Sequence, residues 1–323
     1  MNTRTTARPS CPDTVPLPGP LAVPAGRRPV KSTVEPYLLI APFFLVFALV
    51  GVFPLLYSGF VSLYDWDLLD GPTRFVGLGN YAALLSDAQF GRALANTLSI
   101  LAMTTVPQVV IAVLLAALLD TRLRAPTAWR VGVLLPCAMG VAAVGVVFAN
   151  LFGPTFGFVN AVLQHLGLTP VDWQSNRFAS HLAIATMVNW RWTGYNALIV
   201  LAALQAIPRE LHEAATVDGA GPVRRFTAIT LPLLRPTLVF VVVTSTIGGL
   251  QLFTEPKLLD PLPGTNGGAT HQFQTANLYL YQSAFDNQSL GYASAIACTL
   301  TLLVALVAVA NHVLTRHLAG PTR

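Results

Sequence analysis

The sequence predicts an all-α polytopic membrane protein with six transmembrane helices and both termini in the cytoplasm. Composition is the first reason. Only 10% of the residues are charged and 54% are hydrophobic, against about 25% charged in ordinary soluble domains. Clustering is the second. No Asp, Glu, Lys or Arg occurs within 37–61, 97–119, 131–171, 236–254 or 287–315, and a bilayer core about 30 Å thick needs roughly 20 apolar helical residues. The third is the uneven placement of arginine and lysine along the chain.

The elements follow in order. Residues 1–34 are rich in Pro, Thr, Arg and Gly, lack apolar periodicity and read as a disordered cytoplasmic tail. The first apolar run, from Tyr37, is too long for the core of a cleavable signal. Residues 35–316 form the membrane domain, with spans at about 37–62, 96–119, 131–152, 182–206, 229–254 and 290–314, and 317–323 are a short C-terminal tail. Pro54 and Pro107 fall inside spans and are expected to kink them, while Pro232 and Pro236 sit where a span begins and cost little.

Orientation follows from the cations. Fourteen Arg or Lys residues lie on one side: Arg4, Arg8, Arg27, Arg28 and Lys31 in the tail; Arg122, Arg124 and Arg130; Arg209, Arg224, Arg225 and Arg235; and Arg316 and Arg323. Four lie on the other, Arg74, Arg92, Arg177 and Lys257, and Arg191 falls within a span, where it must face a cavity or reach outward. The net charge of +5 is therefore loop charge rather than a nucleic-acid surface. The outer connections, 63–95, 153–181 and 255–289, carry Trp66, Tyr81, Trp173 and Tyr279, residue types that commonly anchor at lipid headgroups.

Several chemistries find no support. Cys11, Cys137 and Cys298 have no disulfide or metal spacing. His312 and His317 do not share a helical face, and no nucleophile–base or paired-carboxylate arrangement can be assembled. Gly26–Ser32 lacks the second glycine of a phosphate-binding loop. The chain is expected to be no enzyme, with no cofactor of its own.

The connection at 207–228 carries the most information. Pro208 and Glu210 suit a helix start, Leu211, Ala214, Ala215 and Val217 make a small apolar stripe, Asp218-Gly219-Ala220-Gly221 is a turn, and Pro222 restarts helix. Two short helices joined by a tight bend are expected. Glu213-Ala214-Ala215, Gly219, Ile229 and Leu231-Pro232 stand at the spacing of the "EAA" signature. By these residues the chain resembles the permease subunits of binding-protein-dependent ABC importers. Asn189–Tyr195, Leu204–Pro208 and Ile229–Leu234 resemble the carbohydrate-uptake branch, which handles maltose-, lactose- or glycerol-phosphate-type solutes.

The resemblance implies a type I importer permease in a bacterial cell membrane. Its partners would be a second, related permease, two ATPase subunits that bind ATP and Mg, and an external solute-binding protein that delivers a sugar or oligosaccharide. The 207–228 segment would be a coupling loop: Glu213 faces basic groups of the ATPase, Ala214 and Ala215 permit close approach, and Asp218 and Gly219 make the bend. For the substrate pathway the candidates are Trp192, Tyr195 and Asn196 in span four and Thr244, Ser245 and Gln251 in span five. Aromatic rings stack on sugar faces, and amides and hydroxyls exchange hydrogen bonds with sugar hydroxyls. The same residue types also mediate helix packing. Trp192, Gly194 and Tyr195 match the branch's pattern, but an amide expected near Gly248 is missing. The rival reading is an ion-driven secondary transporter, which needs ionisable groups near the midplane; Arg191 alone is thin support for one.

Overall fold

The computed structural model describes residues 35–121, 124–153, 157–260 and 265–319. The expected tail, residues 1–34, lies outside them. The chain divides into two units, Met1–Gly51 and Val52–Arg323. In the first, α1 (Glu35–Phe47) is followed by a π-helical turn, Ala48–Val52. The second holds α2 (Phe53–Val61), whose Pro54 directly follows the π-helical turn within a continuous helical stretch.

An antiparallel hairpin comes next, β1 (Tyr64–Asp67) and β2 (Gly71–Phe75), paired Tyr64 to Phe75 and Asp67 to Gly71 with a bulge between Asp65 and Trp66. Helices α3 (Gly79–Ser86) and α4 (Ala88–Leu119) follow. Asp87 caps α4 by accepting from the Gln89 backbone N–H, and α4 runs unbroken through Pro107. Then come α5 (Pro126–Ala138), α6 (Val141–Leu151), α7 (Phe158–His165) and α8 (Arg177–Gln205). The chain continues with α9 (Arg209–Val217), α10 (Pro222–Arg225), α11 (Leu231–Leu250), α12 (Thr254–Leu259), α13 (Ala276–Tyr281) and α14 (Leu290–Ala319). A π-helical turn, Phe226–Thr230, joins α10 to α11 just before Pro232.

Among the described residues, four helical stretches are long and apolar enough to cross a membrane: Tyr37–Val61, Ala88–Leu119, Pro222–Leu250 and Leu290–Asn311. The expected span 131–152 is not one helix. It is α5 and α6, bent by 87°. The break has a local cause. Pro136 removes a backbone donor near the end of α5, and Met139 and Gly140 are both extended, with ψ of 140° and 133°. The expected span 182–206 is the helix α8, 29 residues long but less apolar than the four. Its residues are spent on protein contacts instead: Ala183, Ile184, Ala185, Met187, Ala197 and Val200 are fully buried.

The core lies around α8. Its most extensive contacts are with α4, and α5, α11, α12 and α6 also pack against it. Ala112 and Ala116 of α4 and Ala197 of α8 are wholly buried, and such small residues let helix backbones approach. Gly194 shows how closely: a Cβ there would stand 1.8 Å from the Val133 carbonyl oxygen of α5. Ala116, Leu119, Val200, Leu201, Leu234 and Val241 make one cluster joining α4, α8 and α11.

At one end of α4 and α8 the segment 265–286 is stitched down by polar contacts. His181 sits between Ser99 Oγ at 2.9 Å and the Gln272 carbonyl at 3.0 Å. Asn96 donates to the carbonyls of His271 and Gln274 and accepts from Arg177. Asp87 accepts from the hydroxyls of Tyr279 and Tyr292. Two aromatics expected at headgroups belong to the interior instead. Tyr279 is buried, and Trp173 is buried against Phe152 with its Nε1–H donated to Asn160.

Candidate functional site: a bent surface loop and a polar cavity

Two places carry functional side chains. The first is the segment 207–228. Helix α9 starts after Pro208, carries Glu210 in its first turn and ends at Val217. Its end is closed by a Schellman motif: the Ala220 N–H bonds the Ala215 carbonyl at 2.9 Å and the Gly219 N–H bonds that of Thr216 at 3.0 Å. The motif needs a left-handed residue, and Gly219 supplies it with φ of +76°. Space around Gly219 is open, so the constraint there is conformational and not steric. Asp218 is the last residue before the reversal, its N–H bonding the Ala214 carbonyl.

The bend is also tied across its arms. Arg225 Nη1 donates to Thr216 Oγ1 at 2.5 Å, and that hydroxyl donates to the His212 carbonyl at 2.7 Å. Nothing in the sequence pattern singled out this pair. Glu213, Ala214 and Asp218 are exposed and Ala215 is half-buried. Leu211, Val217 and Val223 are also exposed, so the bend presents apolar side chains next to a carboxylate.

The second place is a cavity of about 340 Å³ between α4, α8, α11 and the start of α12. Volumes of roughly 300–1,000 Å³ are usual for small-ligand sites. All six candidates from the sequence, Trp192, Tyr195, Asn196, Thr244, Ser245 and Gln251, line it. Helical geometry explains why. Trp192, Tyr195 and Asn196 fall on one face of α8 at spacings of three and four, as Thr244, Gly248 and Gln251 do near the end of α11. Trp192 and Tyr195 meet edge to face, centroids 6.0 Å apart. Gly248 leaves open space where a side chain would stand.

The sequence reading missed Gln108, Thr104 and Glu255. Gln108 follows Pro107 inside an apolar run and is buried, 3% exposed. Its Oε1 accepts from Asn196 Nδ2 at 2.9 Å and from Ser245 Oγ at 2.8 Å, and Asn196 also reaches Ser245 Oγ at 3.2 Å. One amide on each of two helices and one hydroxyl on a third thus hold α4, α8 and α11 together at the cavity wall. A lone polar residue in an apolar stretch was the available signal.

Glu255 resolves the question of Arg191. The guanidinium Nη1 lies 2.7 Å from Glu255 Oε1, and both side chains are largely buried. The Arg191 guanidinium also stands over the Trp192 ring, 5.4 Å from its centroid. Arg191 is thus a paired cation beside the cavity; it does not reach for the headgroups. Chemically the lining offers hydrogen bonds, the three aromatic rings of Trp192, Tyr195 and Phe253, and one carboxylate.

Residues 75–320 match the family model of the binding-protein-dependent transport system inner membrane component. This chain belongs to that family. The permease is 34% identical over 289 residues to the arabinooligosaccharides transport system permease protein AraP of Halalkalibacterium halodurans, covering 88% of this chain and 89% of the relative. It is also 34% identical over 267 residues to the sulfoquinovosyl glycerol transport system permease protein SmoG of Agrobacterium fabrum, covering 82% and 85%. In fold, the permease superposes with a TM-score of 0.77 and 20% identity on a chain of a bacterial alginate ABC transporter in complex with an alginate pentasaccharide-bound periplasmic protein, covering 90% of this chain and 98% of that one. The permease therefore has the type I ABC importer fold and is a non-catalytic membrane component of an importer.

Proposed function

We propose that the permease carries a saccharide through the cavity between α4, α8 and α11, driven by ATP hydrolysed on separate subunits. The observation that carries the saccharide is the lining. Trp192 and Tyr195 give faces for stacking, while Gln108, Asn196, Ser245 and Gln251 give amides and hydroxyls that can exchange hydrogen bonds with sugar hydroxyls. The relatives' names, with their arabinooligosaccharides and sulfoquinovosyl glycerol, support the same class.

In this reading the chain crosses the membrane six times, with the α5–α6 pair and α8 completing the four apolar stretches and both termini in the cytoplasm. The distribution of arginine supports that orientation. The 207–228 segment is the coupling loop. Glu213, Ala214, Ala215, Asp218 and Gly219 dock on an ATPase, which holds the ATP and Mg. A second permease, a second ATPase and an external binding protein complete the machine. The bend's rigidity supports the lever: a Schellman closure and the Arg225–Thr216 tie transmit a push instead of absorbing it.

Uptake of labelled arabinotriose or lactose into vesicles holding the complete complex tests the reading. ATP dependence with inhibition by vanadate is expected. Uptake that ignores ATP and collapses with an uncoupler would instead mark an ion-driven carrier.

A further inference from the structure

We infer that Glu255 is a charge filter in this cavity, so that the saccharide the permease takes is uncharged. The inference rests on the saccharide reading above and narrows it. Relatedness alone leaves the charge open. At the same 34% identity one relative is named for arabinooligosaccharides, which are neutral, and another for sulfoquinovosyl glycerol, whose sulfonate is anionic.

The cavity decides between them. Among the described residues that line it, Glu255 alone carries a charge. A site built for an anion places a cation or a set of convergent N–H donors in its wall. Here the one nearby cation, Arg191, does not line the cavity. Its guanidinium is held by Nη1 on Glu255 Oε1 at 2.7 Å and by its face over Trp192, while its Nε is buried without a hydrogen-bond partner. A carboxylate, sulfonate or phosphate entering the cavity would lose its water and meet Glu255 before it met Arg191, and like charges in a partly dry site repel strongly. A neutral sugar has no such difficulty. Its hydroxyls can donate to the Glu255 carboxylate and exchange bonds with Gln108, Asn196 and Gln251, and its apolar faces can lie on Trp192. Arg191 is in this view a positioning residue: it fixes Glu255 at the wall without itself lining the cavity.

The test is equilibrium dialysis of the detergent-purified transporter complex, without its binding protein, against labelled probes. Arabinotriose and lactose are the neutral probes; trigalacturonate and lactobionate are the anionic ones. The wild type is expected to bind a neutral probe at least tenfold more tightly than either anionic one. E255Q is expected to shrink that gap to about threefold or less. R191Q/E255Q, which leaves no unpaired buried charge, should do the same if E255Q alone fails to fold. Equal affinity for neutral and anionic probes in the wild type, or full discrimination retained in both variants, overturns the filter and leaves the saccharide reading standing. Binding of none of the four probes would remove the saccharide reading, and the filter with it.

Discussion

At the Gln108–Asn196–Ser245 junction three side chains share two acceptors and two donors, and each partner is buried or half-buried. Removing Gln108 takes away the acceptor that both partners share and leaves only the longer Asn196–Ser245 contact of 3.2 Å. Gln108→Ala is expected to destabilise the permease by about 1–3 kcal/mol, the usual cost of an unsatisfied buried polar group, read as a lower melting temperature in detergent. Trp192→Ala and Gln251→Ala remove lining without stranding any hydrogen bond the structure shows. Gln251→Ala is expected to leave the melting temperature nearly unchanged, and both are expected to shift uptake or selectivity about tenfold, or about 1.4 kcal/mol; unchanged transport of every saccharide would reject the pocket. Asp87 bears a pH prediction. Burial alone would raise its pKa, but hydrogen bonds from the Tyr279 and Tyr292 hydroxyls and from the backbone N–H groups of Gln89 and Phe90 outweigh it and hold the carboxyl below its ordinary value. A lowered folded pKa stabilises above the unfolded pKa and loses that contribution as pH falls through the folded one. Asp87→Asn is therefore expected to lower the melting temperature at neutral pH, with the difference from wild type shrinking once pH falls below about 4 and gone only below the folded-state pKa, which lies lower still. Burial, with the Asp87 hydrogen bond next, pushes the Tyr279 hydroxyl up to about 12, so it stays a donor at any working pH.

The bend and the α5–α8 contact are tests at the level of elements. Gly219→Ala forces a side chain into φ of +76° and is expected to cost about 1 kcal/mol in the loop, while Gly219→Pro and Glu213→Arg are expected to abolish uptake with the protein still in the membrane. Normal uptake by both would end the lever role. Gly194→Ala must push α5 away from α8, because the Val133 carbonyl occupies the space. An overpacking cost of about 1–3 kcal/mol is expected, again as a lower melting temperature. These elements were unequally legible in the sequence. The two short helices around Gly219 were readable because Pro208, Gly219 and Pro222 each have a strong local conformational preference. The apolar runs marked α4, α11 and α14 for the same kind of reason. The 87° break between α5 and α6 was not read, because an uninterrupted apolar run hides Pro136 and Gly140 in a composition that still suits a span. The hairpin 64–75 was missed as well: Trp66 looked like a membrane-edge aromatic, yet it packs on Tyr64 of its own strand, and Tyr64 packs on Phe75 across the hairpin. In the cavity, the α8 and α11 members followed from polar and aromatic side chains set within apolar spans and from the family resemblance, whereas Gln108 and Glu255 reach it only through tertiary packing.

For the whole molecule, the family membership and the fold describe the non-catalytic membrane component of a transport system. The lining holds one carboxylate, paired with Arg191. The bend leaves Glu213 and Ala214 exposed at its surface, as the proposed coupling role requires. Cross-linking from a cysteine at position 214 tests this most directly. In membranes carrying the full complex, Ala214→Cys with a short thiol cross-linker is predicted to capture an ATPase subunit, with a yield that changes when ATP and vanadate are added. Failure to capture any ATPase, together with labelling of the same cysteine by an impermeant reagent from outside the cell, would contradict it.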